Sequence, residues 1–249
     1  SRLVAYGMGD VTLYVGENLS YENEKIFHAS AAELTEYRGD ALSVVTACNE
    51  KALPLPAVHG ICDEEFLRGK APMTKEEVRT VSLSKLRLTA DSVCYDVGAG
   101  TGSVSVEMAL RAWKGQVYAI EKKEDALALL KENRRKFATD NLEIVPGTAP
   151  EAMVELLVPT HAFIGGSSGN MNEIIRLLLD KNPKVRIVIN CITLETVTEA
   201  MNAIRDFSLT DVDIVQLSAA RSKSIGRYHM MMGENPIYII SCSGRGEEI

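Results

Sequence analysis

The chain has 249 residues, of which 46% are hydrophobic and 24% are charged, and its formal net charge is −7, a composition typical of a globular protein with a large core. The negative charge argues against a general nucleic-acid-binding surface, and no apolar run approaches the roughly 20 residues of a membrane span, so we expect a cytoplasmic protein without a membrane partner. The five cysteines and four histidines are scattered without the spacing of metal ligands, so no metal site is predicted.

The first 56 residues predict a small α/β segment, with strands near residues 11–15 and 42–47 and a short helix over 31–37. A segment of this size is marginal as an independent domain. Its motifs G-E-N-L-S over residues 16–20 and L-S-V-V over 42–45 resemble the closing part of the CbiE-type, C5-methylating domain of cobalamin biosynthesis. The resemblance implies that residues 1–56 are the C-terminal fragment and linker of such a domain. Its own glycine-rich loop is then expected before Ser1, and no C5 methylation is expected from this chain.

A proline-containing connector, L-P-L-P over residues 53–56, indicates a boundary, so we expect a second domain over residues 57–249. Near its start, P-M-T-K-E-E-V-R over residues 72–79 opens an amphipathic helix, in which Thr74 is a natural N-cap and Glu77 completes a capping box. A well-capped helix is the simpler interpretation of this motif. The motif also resembles the opening of CbiT-type methyltransferases, and that resemblance implies that its loop lies over the cofactor.

The run V-C-Y-D-V-G-A-G-T-G-S over residues 93–103 predicts a strand, a tight turn and a helix. Glycines let the backbone approach a ligand closely, and the start of a helix favours an anionic group. A dinucleotide site would require glycine at position 103, which is Ser103. An acid two residues before the first glycine instead resembles the first motif of S-adenosylmethionine-dependent methyltransferases. With the preceding loop, the resemblance implies these cofactor-binding residues: Thr74, Asp96, Gly98, Ala99, Gly100, Thr101 and Gly102.

From residue 92 onward, strand and helix patterns alternate, which predicts a doubly wound, seven-stranded sheet. The helix after the glycine turn is expected to end at Gly115, with Trp113 in the packing. The predicted strands lie near residues 92–97, 116–121, 142–146, 161–165, 184–190, 209–217 and 236–242.

Further cofactor contacts are expected at the ends of the second and third of these strands. Glu121, about 25 residues after Asp96, ends the second strand, where a carboxylate can accept hydrogen bonds from both ribose hydroxyls. An ordinary exposed carboxylate is the alternative. The third strand ends in Gly147, Thr148 and Ala149, a loop that borders the adenine in the resembled family; the alternative is a plain turn.

The fourth strand ends in I-G-G-S-S-G over residues 164–169, and no Asn/Asp-Pro-Pro-aromatic motif of amino-nitrogen methyltransferases follows it. The small-residue loop resembles the corresponding loop of CbiT-type enzymes. Its glycines leave room for a bulky substrate, and its backbone N–H groups, together with Ser167, are predicted to bind a substrate carboxylate.

A basic cluster between the sixth and seventh strands contains Arg221, Lys223 and Arg227. With Lys75 and Arg79, these residues are predicted to pair with carboxylates of a multi-acid substrate. The alternative is a solvated hairpin whose methionines, at residues 230–232, form an edge for self-association.

Three motifs agree in order with the CbiT type over about residues 60–242, and with the first segment the chain resembles the latter part of fused, decarboxylating C5,15-methyltransferases. The resemblance implies a Rossmann-like, class I methyltransferase fold with S-adenosylmethionine as cofactor. It further implies methylation at C15 of a precorrin-6 or precorrin-7-type tetrapyrrole, loss of CO₂ from the C12 acetate, and a homo-oligomer, as a tetramer. The alternatives are a class I methyltransferase acting on another small molecule, protein or RNA, and a non-catalytic nucleotide-binding module. No catalytic acid or base is assigned.

Overall fold

A computed structural model describes residues 2–5, 7–51 and 59–245. The chain divides into two units, Ser1–Leu55 and Pro56–Ile249, and the predicted proline connector over residues 53–56 lies outside the described residues. Within the described ranges, no helix combines the length and apolar character needed to cross a bilayer. Every predicted cofactor and substrate residue belongs to the second unit.

The first unit is built on a three-stranded antiparallel sheet. Its elements are the short helix α1 (Arg2–Ala5) and the strands β1 (Thr12–Glu17), β2 (Lys25–Ser30) and β3 (Ser43–Cys48). The strand order is β2-β1-β3, and Thr12 of the central strand lies opposite both Ser30 and Cys48. The predicted strands near 11–15 and 42–47 are therefore confirmed, whereas β2 was not predicted.

The helix predicted over residues 31–37 is wrong, because these residues form successive turns. Reciprocal hydrogen bonds between Ser30 and Glu33 lie at the start of these turns. Glu33 Oε2 accepts hydrogen bonds from both the N–H and the hydroxyl of Ser30, at 2.8 and 2.7 Å, and Ser30 Oγ accepts from the Glu33 N–H at 3.3 Å. This reciprocal pairing is the capping box of a helix start, and the chain continues from it as single turns.

The second unit contains the predicted seven-stranded sheet, which is confirmed strand by strand. The five parallel strands are β4 (Val93–Val97), β5 (Gln116–Glu121), β6 (Leu142–Pro146), β7 (His161–Ile164) and β8 (Arg186–Cys191). The remaining strands are β9 (Thr210–Leu217), β10 (Ala220–Ile225), β11 (Tyr228–Gly233) and β12 (Ile237–Ser243). The sheet order is β6-β5-β4-β7-β8-β12-β9, with β12 antiparallel to both neighbours, and β10 and β11 form a separate hairpin.

Helices cover both faces of this sheet, because alternate residues of each buried strand point to opposite faces. One core joins Cys94 and Val117 to the helices α2 (Glu76–Leu86), α3 (Ser103–Arg111) and α4 (Glu124–Lys136). The other joins Tyr95 and Tyr118 to α5 (Met171–Lys181) and α6 (Leu194–Asp206). Short 3₁₀ turns occupy Asp63–Glu65 and Glu151–Met153.

Two helix boundaries differ from the prediction. Helix α2 has Lys75 at its N-cap without a side-chain cap, so the capping box of Thr74 and Glu77 is wrong. Glu77 is instead paired with Arg221. Helix α3 ends at Arg111 rather than at Gly115, so Trp113 lies in the turn that follows the helix. Trp113 is 64% exposed, and the ammonium group of Lys114 lies above its ring. The predicted packing role of Trp113 is therefore also wrong.

A buried ion cluster ties α2 to α3 and to the segment before α2. The guanidinium of Arg79, which is inaccessible to solvent, pairs with Glu107 of α3 and lies 3.3 Å from Asp63 Oδ1. It also donates to the carbonyls of Ile61 and Thr74. This corrects the prediction that Arg79 binds substrate, because the side chain is inaccessible to solvent and four of its five N–H donors are directed at groups inside the protein.

Because breaking a buried ion pair leaves an uncompensated charge, we expect Arg79→Met to lower the free energy of unfolding by about 3–5 kcal/mol. Urea denaturation measures this loss. The matched control is Lys85→Met, which removes a partly exposed pair with Asp213 and should cost less than about 1 kcal/mol. Equal losses for the two variants would contradict the proposed role of the cluster.

Candidate active site

A cavity of about 400 Å³ opens at the carboxyl ends of the parallel strands. It lies where the strand order reverses between β4 and β7, the position at which open α/β sheets bind their ligands. Its lining combines the loops after β4, β5, β6 and β7 with the end of β8, the segment before α2 and the start of β12. The predicted residues that line it are Thr74, Lys75, Gly98, Ala99, Gly100, Glu121, Gly147, Thr148, Ala149 and Ser167.

The glycine loop after β4 packs tightly between two other backbone segments. Gly98 has a φ of +76°, and a Cβ atom there would lie 2.9–3.1 Å from backbone atoms of Gly166. Gly100 has a φ of +56°, and its Cβ would lie 2.6 Å from the carbonyl oxygen of Pro72. Both the left-handed conformation and the close approach therefore require glycine. The loop leaves its remaining backbone surface facing the cavity.

Asp96, Thr101 and Gly102 lie outside the cavity lining, behind this loop, and their contact with a cofactor stays a prediction. Asp96 is buried and accepts a hydrogen bond from the hydroxyl of Ser105 in α3. Burial raises the pKa of Asp96 to about 7, and the hydrogen bond from Ser105 opposes that shift. The carbonyl of Thr101 accepts from Asn133 at 2.9 Å.

Glu121 connects the glycine loop to the end of β5. Its Oε2 accepts the N–H of Gly100 at 2.9 Å, and its Oε1 accepts the N–H groups of Lys122 and Lys123 at 2.8 and 2.9 Å. The side chain is 8% exposed and lines the cavity. Since an ionised carboxylate has about four acceptor positions, Glu121 has capacity left for a hydroxyl donor.

The loops after β6 and β7 complete the wall around the glycine loop. The N–H of Gly147 donates to the Glu121 carbonyl at 2.9 Å, which fixes the loop after β6 beside β5. The N–H groups of Gly165 and Gly166 donate to the Val97 carbonyl at 2.9 and 3.2 Å. Lys122 Nζ donates to Ser168 Oγ at 3.0 Å, so a side-chain bond joins the loops after β5 and β7.

The predicted basic residues are not gathered in the cavity. Of the five, Lys75 lines it, and its Nζ lies 3.9 Å from Asp63. Arg221 forms two hydrogen bonds with Glu77, at 3.0 and 2.8 Å, which hold the pKa of that carboxyl below its usual range. Lys223 and Arg227 lie in the exposed hairpin, outside the lining.

The sequence analysis did not predict one wall of the cavity, which is formed by the end of β8 and by residues before and at the start of β12. This wall contains Asn190, Ile192, Glu234, Asn235 and Ile237. A signal existed for Asn190, a polar residue near the carboxyl end of the otherwise apolar run I-V-I-N-C over residues 187–191. Among the described residues, no group of three or more His, Cys, Asp or Glu side chains is arranged to hold a metal ion.

Comparison with known proteins shows clear relatives. Residues 65–243 match the family described as a precorrin methyltransferase domain. The chain is 44% identical over 188 residues to a probable cobalt-precorrin-6B C(15)-methyltransferase (decarboxylating) of Pyrobaculum calidifontis, covering 74% of this chain and 96% of that protein. The corresponding enzyme of Salmonella typhimurium is 41% identical over 182 residues, which are 72% of this chain and 94% of that protein. The crystal structure of a precorrin-6Y C5,15-methyltransferase from Geobacter metallireducens is 38% identical with a TM-score of 0.71, covering 76% of this chain and 100% of that one.

The glycine loop generates a direct structural prediction. We expect Gly98→Ala to lower the melting temperature and to distort the cavity, because the new methyl group would meet Gly166 backbone atoms at 2.9–3.1 Å and the φ of +76° is strained for alanine. Gly166→Ala is the matched control, since its Cβ would meet nothing within 4 Å. Thermal unfolding of both variants measures the two melting temperatures. A Gly98→Ala protein with the same melting temperature as Gly166→Ala would contradict the described packing.

The raised pKa of Asp96 predicts a pH dependence of stability. Between pH of about 4 and 7 the folded protein keeps the Asp96 proton that the unfolded chain has lost, so this contribution to stability falls as the pH rises through that window. We therefore expect the free energy of unfolding of the wild type, minus that of Asp96→Asn, to fall by about 2 kcal/mol from pH 5 to pH 7. Urea denaturation at several pH values measures it.

The same substitution at the exposed Asp125 of α4 controls for the chemical change from carboxylate to amide. A wild type whose stability relative to Asp96→Asn is constant from pH 5 to pH 7 would show that Asp96 is not protonated in the folded protein.

Proposed function

The chain belongs to the precorrin methyltransferase family, and on that premise we propose that it methylates C15 of a precorrin-6 or precorrin-7-type tetrapyrrole. S-adenosylmethionine is the methyl donor in this proposal, and the C12 acetate loses its carboxyl group as CO₂. The observation that carries the proposal is a single cavity in which the glycine loop and Glu121 share one wall with a loop of small residues. Relatives that are 41–44% identical are named as C15-methyltransferases of the decarboxylating type.

The residues of the cavity fit S-adenosylmethionine. The glycine loop lines the cavity with the backbone of residues 98–100 and packs its other side against Gly166 and Pro72. Glu121 presents a carboxylate with capacity for a ribose hydroxyl. The backbone of residues 147–149 forms the neighbouring wall, where the adenine is expected. When bound, the cofactor supplies a methyl group already activated by its sulfonium.

The protein's own contribution to such a transfer is alignment and exclusion of water. The acceptor side of the cavity is formed by the loop after β7 and by the wall of Asn190, Ile192 and Ile237. Gly165 and Gly166 keep that loop narrow, which leaves space for a macrocycle beside the methyl donor. Lys75, at the cavity wall, is the cation placed to attract a carboxylate arm that the substrate retains.

Three further assignments belong to the same proposal. A cytoplasmic location and a homo-oligomer, as a tetramer, are proposed, and the exposed methionines at residues 230–232 of β11 provide an apolar edge for self-association. Residues 1–56 are proposed to be the end of a CbiE-type domain and its linker. In support, its two motifs meet in the folded unit, where the Asn18 N–H donates to the Leu42 carbonyl at 2.9 Å.

Mass spectrometry of the wild-type chain incubated with a precorrin and isotopically labelled S-adenosylmethionine tests the proposed reaction. We expect a product that has gained one labelled methyl group and lost one carboxyl group. A product that gains the methyl group and keeps every carboxyl group would contradict the decarboxylating half. Tight cofactor binding without any turnover of precorrins would support a non-catalytic module instead.

The role of Glu121 predicts a specific loss of cofactor affinity. We expect Glu121→Gln to raise the Kd for S-adenosylmethionine about tenfold or more, because the ribose hydroxyls lose a charged acceptor. Isothermal titration calorimetry measures the Kd. Glu124→Gln, at an exposed position three residues later, is the matched control and should leave the Kd within about twofold. Unchanged affinity in both variants would exclude the ribose contact.

A further inference from the structure

Asn190 presents a buried amide without a complete set of partners at the wall of the cavity. The residue lies near the carboxyl end of β8, is 9% exposed and lines the cavity. Its Oδ1 accepts a hydrogen bond from the hydroxyl of Ser82 at 3.0 Å. Its Nδ2, in contrast, has no hydrogen-bond partner among the residues that the structure describes.

An unpaired amide nitrogen is costly at this place. The neighbouring residues of β8, Val188, Ile189 and Cys191, are inaccessible to solvent and apolar, and an amide there costs free energy unless its donors are satisfied. Ser82, itself inaccessible, lies at the oxygen end of the amide, and its hydroxyl also donates to the Val78 carbonyl at 2.8 Å. A buried donor that lacks a protein partner points to a ligand that accepts its hydrogen bond.

The position of Asn190 in the sheet assigns this ligand to the acceptor side of the cavity. The residues proposed to hold the cofactor follow β4, β5 and β6, on one side of the point where the strand order reverses. β8 lies on the other side, and Asn190 is opposite Ile239 of β12. The cavity wall around Asn190 combines the apolar Ile192 and Ile237 with the polar Glu234 and Asn235, and within the described ranges it contains no lysine or arginine.

Resting on the proposed function, we propose that Asn190 Nδ2 donates a hydrogen bond to the carboxylate of the acetate arm that leaves as CO₂. In that step the bond between the acetate methylene carbon and its carboxyl carbon breaks, and the bonding electron pair passes into the conjugated macrocycle. The carboxyl carbon leaves as CO₂, and the methylene carbon takes a proton from water to become a methyl group. Asn190 is a positioning residue, which fixes the arm without joining this exchange of electrons.

A neutral donor suits a carboxylate that must lose its charge. A cation would stabilise the carboxylate more strongly than the transition state, in which negative charge moves into the ring, and would therefore slow the loss of CO₂. An amide N–H orients the group with a weaker ground-state interaction. The lysines that line the cavity, Lys75, Lys122 and Lys123, belong to the segments before α2 and after β5 rather than to the wall that contains Asn190. Carboxylates that the substrate retains gain from cations, whereas the leaving one gains from Asn190.

The test compares Asn190→Leu and Asn190→Asp with the same two substitutions at Asn202, a half-buried residue of α6 outside the cavity lining. For each protein the methyl groups transferred and the CO₂ released from a precorrin are counted by mass spectrometry. The Kd for S-adenosylmethionine and the urea midpoint are measured in parallel. For Asn190→Leu we expect the CO₂ released per methyl transferred to fall about tenfold, an unchanged cofactor Kd and a higher urea midpoint, because an unpaired buried donor has been removed.

For Asn190→Asp we expect the KM for the precorrin to rise about tenfold, because a carboxylate then faces a carboxylate. The inference is overturned if Asn190→Leu keeps the wild-type ratio of CO₂ released to methyl groups transferred. It is also overturned if the urea midpoint of Asn190→Leu falls while methyl transfer and CO₂ release decline in parallel, which is the result expected of a residue that only stabilises the fold. Failure of the proposed function has a different signature: the wild type itself then binds S-adenosylmethionine and methylates no precorrin.

Discussion

The close approach of two chain segments, one leaving β4 and the other leaving β7, is the constraint on which the site depends. The Val97 carbonyl receives the N–H groups of Gly165 and Gly166, and Gly98 passes so near Gly166 that a Cβ would not fit. These contacts occur where the strand order reverses. Because the two segments are joined there, the loops above them diverge and enclose the cavity, with the proposed cofactor wall on one side and the proposed acceptor wall on the other.

The distribution of charge follows from the same arrangement. On the cofactor side, the buried carboxylates of Asp96 and Glu121 are held by hydroxyl and backbone donors rather than by cations. Arg79 and Arg221 lie outside the cavity lining and form internal pairs with Glu107 and Glu77. Among the residues that the structure describes, the wall around Asn190 contains no lysine or arginine. This division suits a reaction that binds several carboxylates and removes one of them.

The sequence allowed the architecture of the second unit to be predicted, because strand and helix periodicities depend on burial on two faces and that burial is encoded locally. The glycine spacing and the position of Glu121 likewise identified the cavity wall. The errors arose where partners distant in the chain decide the outcome. Arg79 and Glu107 are 28 residues apart, and Arg221 and Glu77 are 144 apart, so no local pattern showed that these arginines were already paired or that Glu77 was unavailable as a helix cap.

The position of the transferred methyl group in the product shows whether the chain methylates C15. The wild-type chain is incubated with a precorrin-6 or precorrin-7-type substrate and S-adenosylmethionine carrying an isotopically labelled methyl group, and nuclear magnetic resonance of the purified product locates the label. We expect a labelled methyl group on C15 and an unlabelled methyl group in place of the acetate on C12. A label at another ring carbon, or an intact C12 acetate in the fully methylated product, would contradict it.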